Sequence, residues 1–321
     1  MNRPTLSVIV PNYNHGRFLS VCLDALLSQS ISATEIIVID DASTDDSMNV
    51  IQSYASRYPS IAMVRDSKNQ GVVWGMNHGL RIARSDYVLF AAADDQVLPG
   101  LFEKSLDLLA RHPYAALCCA IGAWHEQATG FNWQVGVGMS ETPAYLSPQN
   151  LVQLERQNKL FIASHTAIIR LDALIQIGGF LPELRWHCDW FAIYAAAFRH
   201  GICFVPEPLG RFNICNSSFY KTGRRDDKAH RAVLGRILEL LMGSEFENEG
   251  RLMREAGSLF QFAGPMLSLM LHDPRYRSFI TPTFLRKNLV HSFKLAVKDS
   301  VPIWAANLYF RLAGYRISES K

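Results

Sequence analysis

Short apolar runs separated by amphipathic stretches fill the first part of the chain. Leu6 to Val10, Glu35 to Asp40 (EIIVID), Ile61 to Arg65, Tyr87 to Ala92 and Tyr114 to Trp124 read as buried strands. The intervening segments read as helices. One carries Phe18, Leu19, Cys22, Leu23, Leu26 and Leu27 on a single face, and the next carries Val50, Ile51, Tyr54 and Ala55 behind caps offered by Ser43-Thr-Asp-Asp46. A third runs from about Val72 to Arg84, and Pro99 opens a fourth that continues through Arg111. This rhythm predicts a mostly parallel central sheet flanked by helices. Ligands on such sheets gather at the carboxyl ends of the strands.

The pattern changes downstream. Residues 125–146, with Gly130, Gly136 and Gly138 among aromatic side chains, read as an irregular loop over a site. A helix from Ser147-Pro148, a strand from His165 to Arg170, the turn at Gly178-Gly179, a helix after His187 and a strand from Ile202 to Val205 follow. Beyond Thr222 the periodicity is helical, with segments near 226–246, 249–272, 283–297 and 302–313. Two regions are therefore expected: a catalytic domain over 1–223 and a helical C-terminal region over 224–321. The latter would position an acceptor, mediate oligomer contacts or touch a membrane surface.

Composition narrows the class. With 49% hydrophobic and 19% charged residues the chain of 321 is globular in type. No apolar run reaches the roughly 18–20 residues of a membrane span, and no secretory leader is visible at the start. The six cysteines lack a C-x-x-C spacing, which argues against a zinc or redox motif and for reduced thiols in the cytoplasm. The net charge of +3 is uneven: residues 224–321 hold 16 Lys/Arg against 10 Asp/Glu, and residues 1–223 hold 16 against 19. The basic tail suits an anionic neighbour such as the cytoplasmic membrane face, with Trp304, Tyr309 and Phe310 as aromatic anchors; nucleic acid is not an expected partner.

Candidate chemistry sits where strands end. Asp40-Asp41 and Asp94-Asp95 follow two apolar runs and would share one sheet edge. Enclosed adjacent carboxylates repel and lose hydration, so they call for a cation, a base or a ribose. Asp45 and Asp46 fit helix capping better. Divalent Mg²⁺ or Mn²⁺ takes one or two carboxylates plus substrate phosphates. The glycine-rich phosphate loops of dinucleotide and P-loop enzymes are missing, as are G-x-S-x-G and H-E-x-x-H.

The ordered set is specific. Ser7-Val-Ile-Val-Pro-Asn-Tyr-Asn14, Glu35-Ile-Ile-Val-Ile-Asp-Asp-Ala-Ser-Thr-Asp-Asp46, Asn69-Gln-Gly71, Asn77 and Tyr87-Val-Leu-Phe-Ala-Ala-Ala-Asp-Asp95 come first. Gly178-Gly-Phe180, His187-Cys-Asp-Trp190 and Val205-Pro-Glu-Pro-Leu209 follow. Over residues 5–218 this resembles the family-2 glycosyltransferases. The resemblance implies a GT-A fold and an inverting hexosyl- or N-acetylhexosaminyl-transferase. Its donor would be a nucleotide-diphosphate sugar, most simply a UDP-sugar, and its acceptor a glycan or lipid-linked glycan of the cell surface.

Residue by residue, the resemblance places Pro11 and Tyr13 beside the base, Asp41 on the uracil ring and Asn69 in the donor site. It puts Asp94 on the ribose or metal and Asp95 on the divalent metal, and makes Asp189 the general base. His165, Trp186, His187, Trp190 and Arg211 are candidates for the acceptor side, the two tryptophans as a sugar-stacking platform. Arg224-Arg225, outside what the resemblance assigns, read first as a solvated charge run and alternatively as a pair that closes over the phosphates. Three departures stand out: Cys188 before the base, Ala92-Ala-Asp-Asp95 in place of D-x-D-D, and Arg211-Phe-Asn213 where Arg-x-His is common. They motivate a second reading, a catalytically weakened nucleotide-sugar-binding scaffold of the same fold.

Overall fold

In the computed structural model the described residues are 3–126, 131–214 and 226–300. The chain begins as expected. Strands β1 (Leu6–Asn12), β2 (Glu35–Asp40), β3 (Ile61–Arg65) and β4 (Tyr87–Phe90) alternate with helices α1 (Gly16–Leu27), α2 (Ser47–Arg57) and α3 (Val72–Ile82). They pair in parallel in the order β3-β2-β1-β4. Helix α3 lies unusually close to β1, because a Cβ at Gly79 would sit 2.3 Å from Ile9 Cγ2. Any larger residue there would push the helix off the sheet.

The second half is a mixed sheet. After β5 (Gln96–Val97) and α4 (Leu101–Arg111) come β6 (Leu117–Glu126), β7 (Phe131–Val135), β8 (Ala144–Leu146) and α5 (Pro148–Arg156). Strand β9 (Ile168–Arg170) and helices α6 (Leu171–Gln176) and α7 (Cys188–His200) then lead to β10 (Ile202–Ile214). The short β9 enters antiparallel between β4 and β6, while β6 and β10 pair in parallel along their length. Strands β1, β2, β3, β4, β6 and β10 thus run one way. The expected loop over 125–146 instead contains β7, paired with β6, and β8, paired with β10. Its glycines misled the reading: Gly136 and Gly138 have positive φ and turn the chain just after β7.

Four helices complete the described chain: α8 (Asp227–Met242), α9 (Glu247–Ala256), α10 (Ala263–His272) and α11 (Pro282–Ser300). The expected helix over 249–272 is broken at Gly257, whose φ of +68° ends α9 in a left-handed cap. Leu234, Ile237, Met253 and Phe284 from these helices share one buried core with Ile9, Phe180, Phe191 and Phe204 of the sheet half. Lys287 of α11 is buried against α5, its Nζ donating to Glu155 Oε1 at 2.6 Å and lying 4.1 Å from the centre of the Phe260 ring. Burial pushes Glu155 up and Lys287 down, and each charge opposes the other's neutralisation. The boundary near 223 and the segment 302–313 lie outside the described residues, as do Arg224, Arg225, Trp304, Tyr309 and Phe310.

Candidate active site

The carboxyl ends of β1 and β2 build the first part of the site. Asp40, fully buried, accepts from Asn12 Nδ2 at 2.9 Å and from the Ser43 N–H, so it fastens the turn rather than facing a ligand. Its neighbour Asp41 points the other way. The Asp41 oxygens accept from the backbone N–H groups of Gln70 and Gly71, both at 2.7 Å, and so pin the Asn69-Gln-Gly71 loop at the start of α3. Each oxygen keeps a lone pair for a further donor. Asn69 is exposed, Pro11 is half-buried beside Gly75, and the Tyr13 ring is 43% exposed, open for stacking. Ala42 adopts φ +58°, a left-handed conformation costly for alanine, to make this turn. Asp45 accepts from the Gly16 and Ser47 N–H groups, which hold its carboxyl below the usual range despite partial burial, as capping requires.

Asp94 and Asp95 follow β4. The last strand reaches them: the Asn213 N–H donates to Asp95 Oδ1 at 3.0 Å, and Asn213 Nδ2 donates to the Asp94 carbonyl at 2.6 Å. Burial and the Asp94 charge push the Asp95 carboxyl up to about 8. No Lys, Arg or His pairs with either carboxylate among the described residues. Two oxygen-donor groups short of a countercharge suit a hard divalent cation shared with a diphosphate. Among the described residues no group of three His, Cys, Asp or Glu side chains is gathered, so protein would supply a thin ligand set. The nearby Cys22 thiol is pushed up to about 12 by burial and by Asp95 and Asp94; it stays protonated and is no nucleophile.

Asp189 lies in the first turn of α7. The helix ends at His200 and a single residue, Gly201, joins it to β10 at Ile202. Burial raises the Asp189 carboxyl, opposed by backbone N–H groups of the helix start. Among the described residues no hydrogen bond or ion pair joins Asp189 to Asp41 or to the Asp94–Asp95 pair. Asn77 of α3 ties the two halves: its Nδ2 donates to the Phe180 carbonyl at 2.7 Å and its Oδ1 accepts from the Phe180 N–H at 3.0 Å. Gly179 is needed there, since its Cβ would sit 2.9 Å from Asn77 Oδ1.

Three acceptor-side expectations change. His187 is buried, its Nε2 3.2 Å from Nε2 of His230 in α8 and its ring against Phe262. Trp186 is buried beside both histidines, and Trp190 stacks on Tyr194 and meets Phe262 edge-on. These rings brace the turn before α7 against the C-terminal helices, with Trp186 and His187 buried and Trp190 half-buried. The reason is tertiary: local spacing cannot show that a helix whose His230 lies 43 residues beyond His187 will cover that side. Arg185 closes the turn with φ +47° and ψ −117°, a strained geometry for a non-glycine residue.

His165 lies across Gly122 and Gly210, paired residues of β6 and β10; a Cβ on Gly122 would sit 2.8 Å from its Cε1. Burial lowers His165 to about 4, so it is neutral, with Nε2 unpartnered among the described residues. Arg211 is exposed beside the Asn213 clasp. Sequence reasoning missed the half-buried cluster of Trp124, Trp133, Phe161 and Phe212, whose rings lie 5.4–5.7 Å from Trp124. The paired glycines were the available signal for the histidine slot.

Comparison with known proteins agrees with this geometry. The profile of Glycosyl transferase family 2 matches residues 7–178. An uncharacterized glycosyltransferase, YibD of Escherichia coli K12, is 35% identical over 129 residues, 40% of this chain and 37% of that protein. The poly(ribitol-phosphate) beta-glucosyltransferase of Bacillus spizizenii is 33% identical over 95 residues, 29% of this chain and 15% of that one. The chain thus matches well under half the length of these relatives. In structure it is similar to S. aureus TarS 1–349 solved with UDP-GlcNAc, with TM-score 0.65, 18% identity and coverage of 80% of this chain and 73% of that one. The family profile spans more than half of the sequence, from β1 through the Gly178 turn, and on that ground the chain belongs to glycosyl transferase family 2.

Proposed function

We propose that this protein is an inverting glycosyltransferase that moves a hexosyl or N-acetylhexosaminyl group from a UDP-sugar to a hydroxyl of a glycan or lipid-linked glycan in cell-surface polysaccharide biosynthesis. The observation that carries the reading is the placement of Asp41 and the Asp94–Asp95 pair just past the carboxyl ends of the parallel strands β2 and β4; Asp189 joins them in this reading through the family resemblance. The solved TarS complexes with UDP and UDP-GlcNAc, and the glycan-polymer enzymes among the relatives, support the donor and product class.

In this reading Pro11 and Tyr13 flank the uracil, and Asp41, already fixed by Gln70 and Gly71, accepts from its ring N–H. Asn69 borders the same donor site. Asp95, with Asp94, would hold Mg²⁺ or Mn²⁺, which when bound offsets charge on the diphosphate. Asp189 takes the acceptor hydroxyl proton as that oxygen bonds to the anomeric carbon. The carbon–oxygen bond to UDP breaks as the new one forms, UDP leaves with the electron pair, and the configuration inverts. Burial of Asp189 makes it a stronger base than an exposed carboxylate. We place the enzyme in the cytoplasm, peripheral at the membrane face where lipid-linked acceptors are presented; no helix among the described residues is long and apolar enough to cross a membrane.

A screen of nucleotide sugars by thermal unfolding tests the donor, because ligands of the folded state raise its stability. UDP-sugars should raise the melting temperature more than GDP- or dTDP-sugars. A transfer assay on Asp189→Asn tests the mechanism, and unchanged turnover would remove Asp189 from it. The Asn213 clasp on Asp94 and Asp95 favours the scaffold reading as the alternative. Tight UDP-sugar binding with no turnover across a broad acceptor panel would select it.

A further inference from the structure

Helix α11 presents a face that no described residue covers. Leu289 and Phe293 are 72% and 69% exposed, and Leu285 and Val290 are 44% and 41% exposed. Positions 285, 289 and 293 repeat every four residues and form one stripe. The opposite side of the same helix is well anchored, with Phe284 and Lys287 buried. The helix is therefore held firmly while four large apolar side chains face outward.

The charge around the stripe is one-sided. Of the basic residues over 274–288, Arg275 pairs with Asp273 and Lys287 lies buried on Glu155, which leaves Arg277 and Arg286 beside the stripe. Arg277 and Arg286 are exposed, and neither has an acidic partner among the described residues. Arg286 donates instead to the Arg156 carbonyl at 2.8 Å. An apolar stripe bordered by unneutralised arginines, on a helix too polar to insert across a bilayer, matches the physics of a helix lying in a lipid interface.

We propose that the exposed face of α11 docks the protein on an anionic lipid bilayer, with Leu285, Leu289 and Phe293 entering the acyl boundary and Arg277 and Arg286 meeting the headgroups. This names the surface for the membrane-face location proposed above and adds a contact independent of residues 301–321. It does not depend on the sugar chemistry, because its test reads binding and not turnover.

The test is co-sedimentation of the full-length protein with phosphatidylglycerol/phosphatidylcholine vesicles and with pure phosphatidylcholine vesicles, at low and high salt. Wild type is expected to bind the anionic vesicles, more weakly by about tenfold or more on neutral vesicles or in high salt. The variant Leu289→Glu/Phe293→Glu should lose at least about tenfold in vesicle affinity. Its melting temperature and its response to UDP should stay at wild-type values, since both side chains lie outside the core. Three results would overturn the proposal. Wild type could ignore anionic vesicles at low salt, or the double variant could bind as tightly as wild type. Light scattering could also show a wild-type dimer that the variant dissolves, with no lipid binding, making the face a contact between copies.

Discussion

The two halves of the chain solve the same problem differently. On the β1–β2–β4 side, polar groups are fixed locally: Asp41 holds backbone N–H groups of the next loop, Asp40 holds its own turn, and Asp45 caps a helix. In the second half of the chain, the turn leading to Asp189 is fixed from a distance, by Asn77 of α3 through Phe180 on one flank and by His230 and Phe262 on the other. A binding site for a rigid nucleotide can be made from short loops.

The contrast can be broken first at the reaction itself. Asp189→Asn should lower turnover by about 10²–10⁴-fold while leaving UDP binding intact, measured by transfer assay and calorimetry. The same carboxyl sets a pH dependence. Because burial raises it, activity should fall with decreasing pH at a point above the ordinary aspartate value of about 4, as Asp189 takes up a proton. The sign for stability is opposite to that of an ion-paired carboxylate: a raised carboxyl makes the fold relatively less stable above the folded-state value, where the buried group must be charged.

Next in size is the joint between sheet and C-terminal helices. Lys287→Met leaves Glu155 buried without its cation and should cost about 3–5 kcal/mol in denaturant unfolding. Lys287→Met combined with Glu155→Met should recover much of that loss, which separates the pair's charge from its packing. A smaller effect is expected at the bridge between the two halves. Asn77→Ala removes both hydrogen bonds to Phe180 and should cost about 1–3 kcal/mol, with turnover falling more than UDP affinity. The smallest is on the local side: Ala42→Gly relieves a left-handed alanine and should stabilise by about 0.5–1 kcal/mol in thermal unfolding, with the donor site unchanged.

Much of the local side was legible in the sequence. The strand spans of Glu35–Asp40 and Ile61–Arg65 match the apolar runs, and Asp94-Asp95 stood out because three alanines precede them. Periodicity reports nearest neighbours along the chain, which is what these elements use. The distant side was less legible. Trp186, His187 and Trp190 read as candidate ligand groups because most of their packing is remote in sequence: beyond Tyr194, which Trp190 stacks on, α8 and the 258–262 turn supply it. The strands inside 125–146 were hidden because their partners, β6 and β10, lie on either side of a turn rich in glycine. The Asn213 clasp was visible only as a departure from a motif, whereas its two hydrogen bonds need the fold.

The bracing of the turn at 182–190 has a consequence for recombining such enzymes. Trp186, His187 and Trp190 face partners in residues 230–262, so the turn before Asp189 and the C-terminal helices form one hereditary unit across a long stretch of sequence. A chimaera that exchanges the helices of this chain for those of a relative, with its own turn left in place, would join mismatched halves of one aromatic joint. Exchanging the turn and the helices together, as a two-piece cassette, keeps the joint whole.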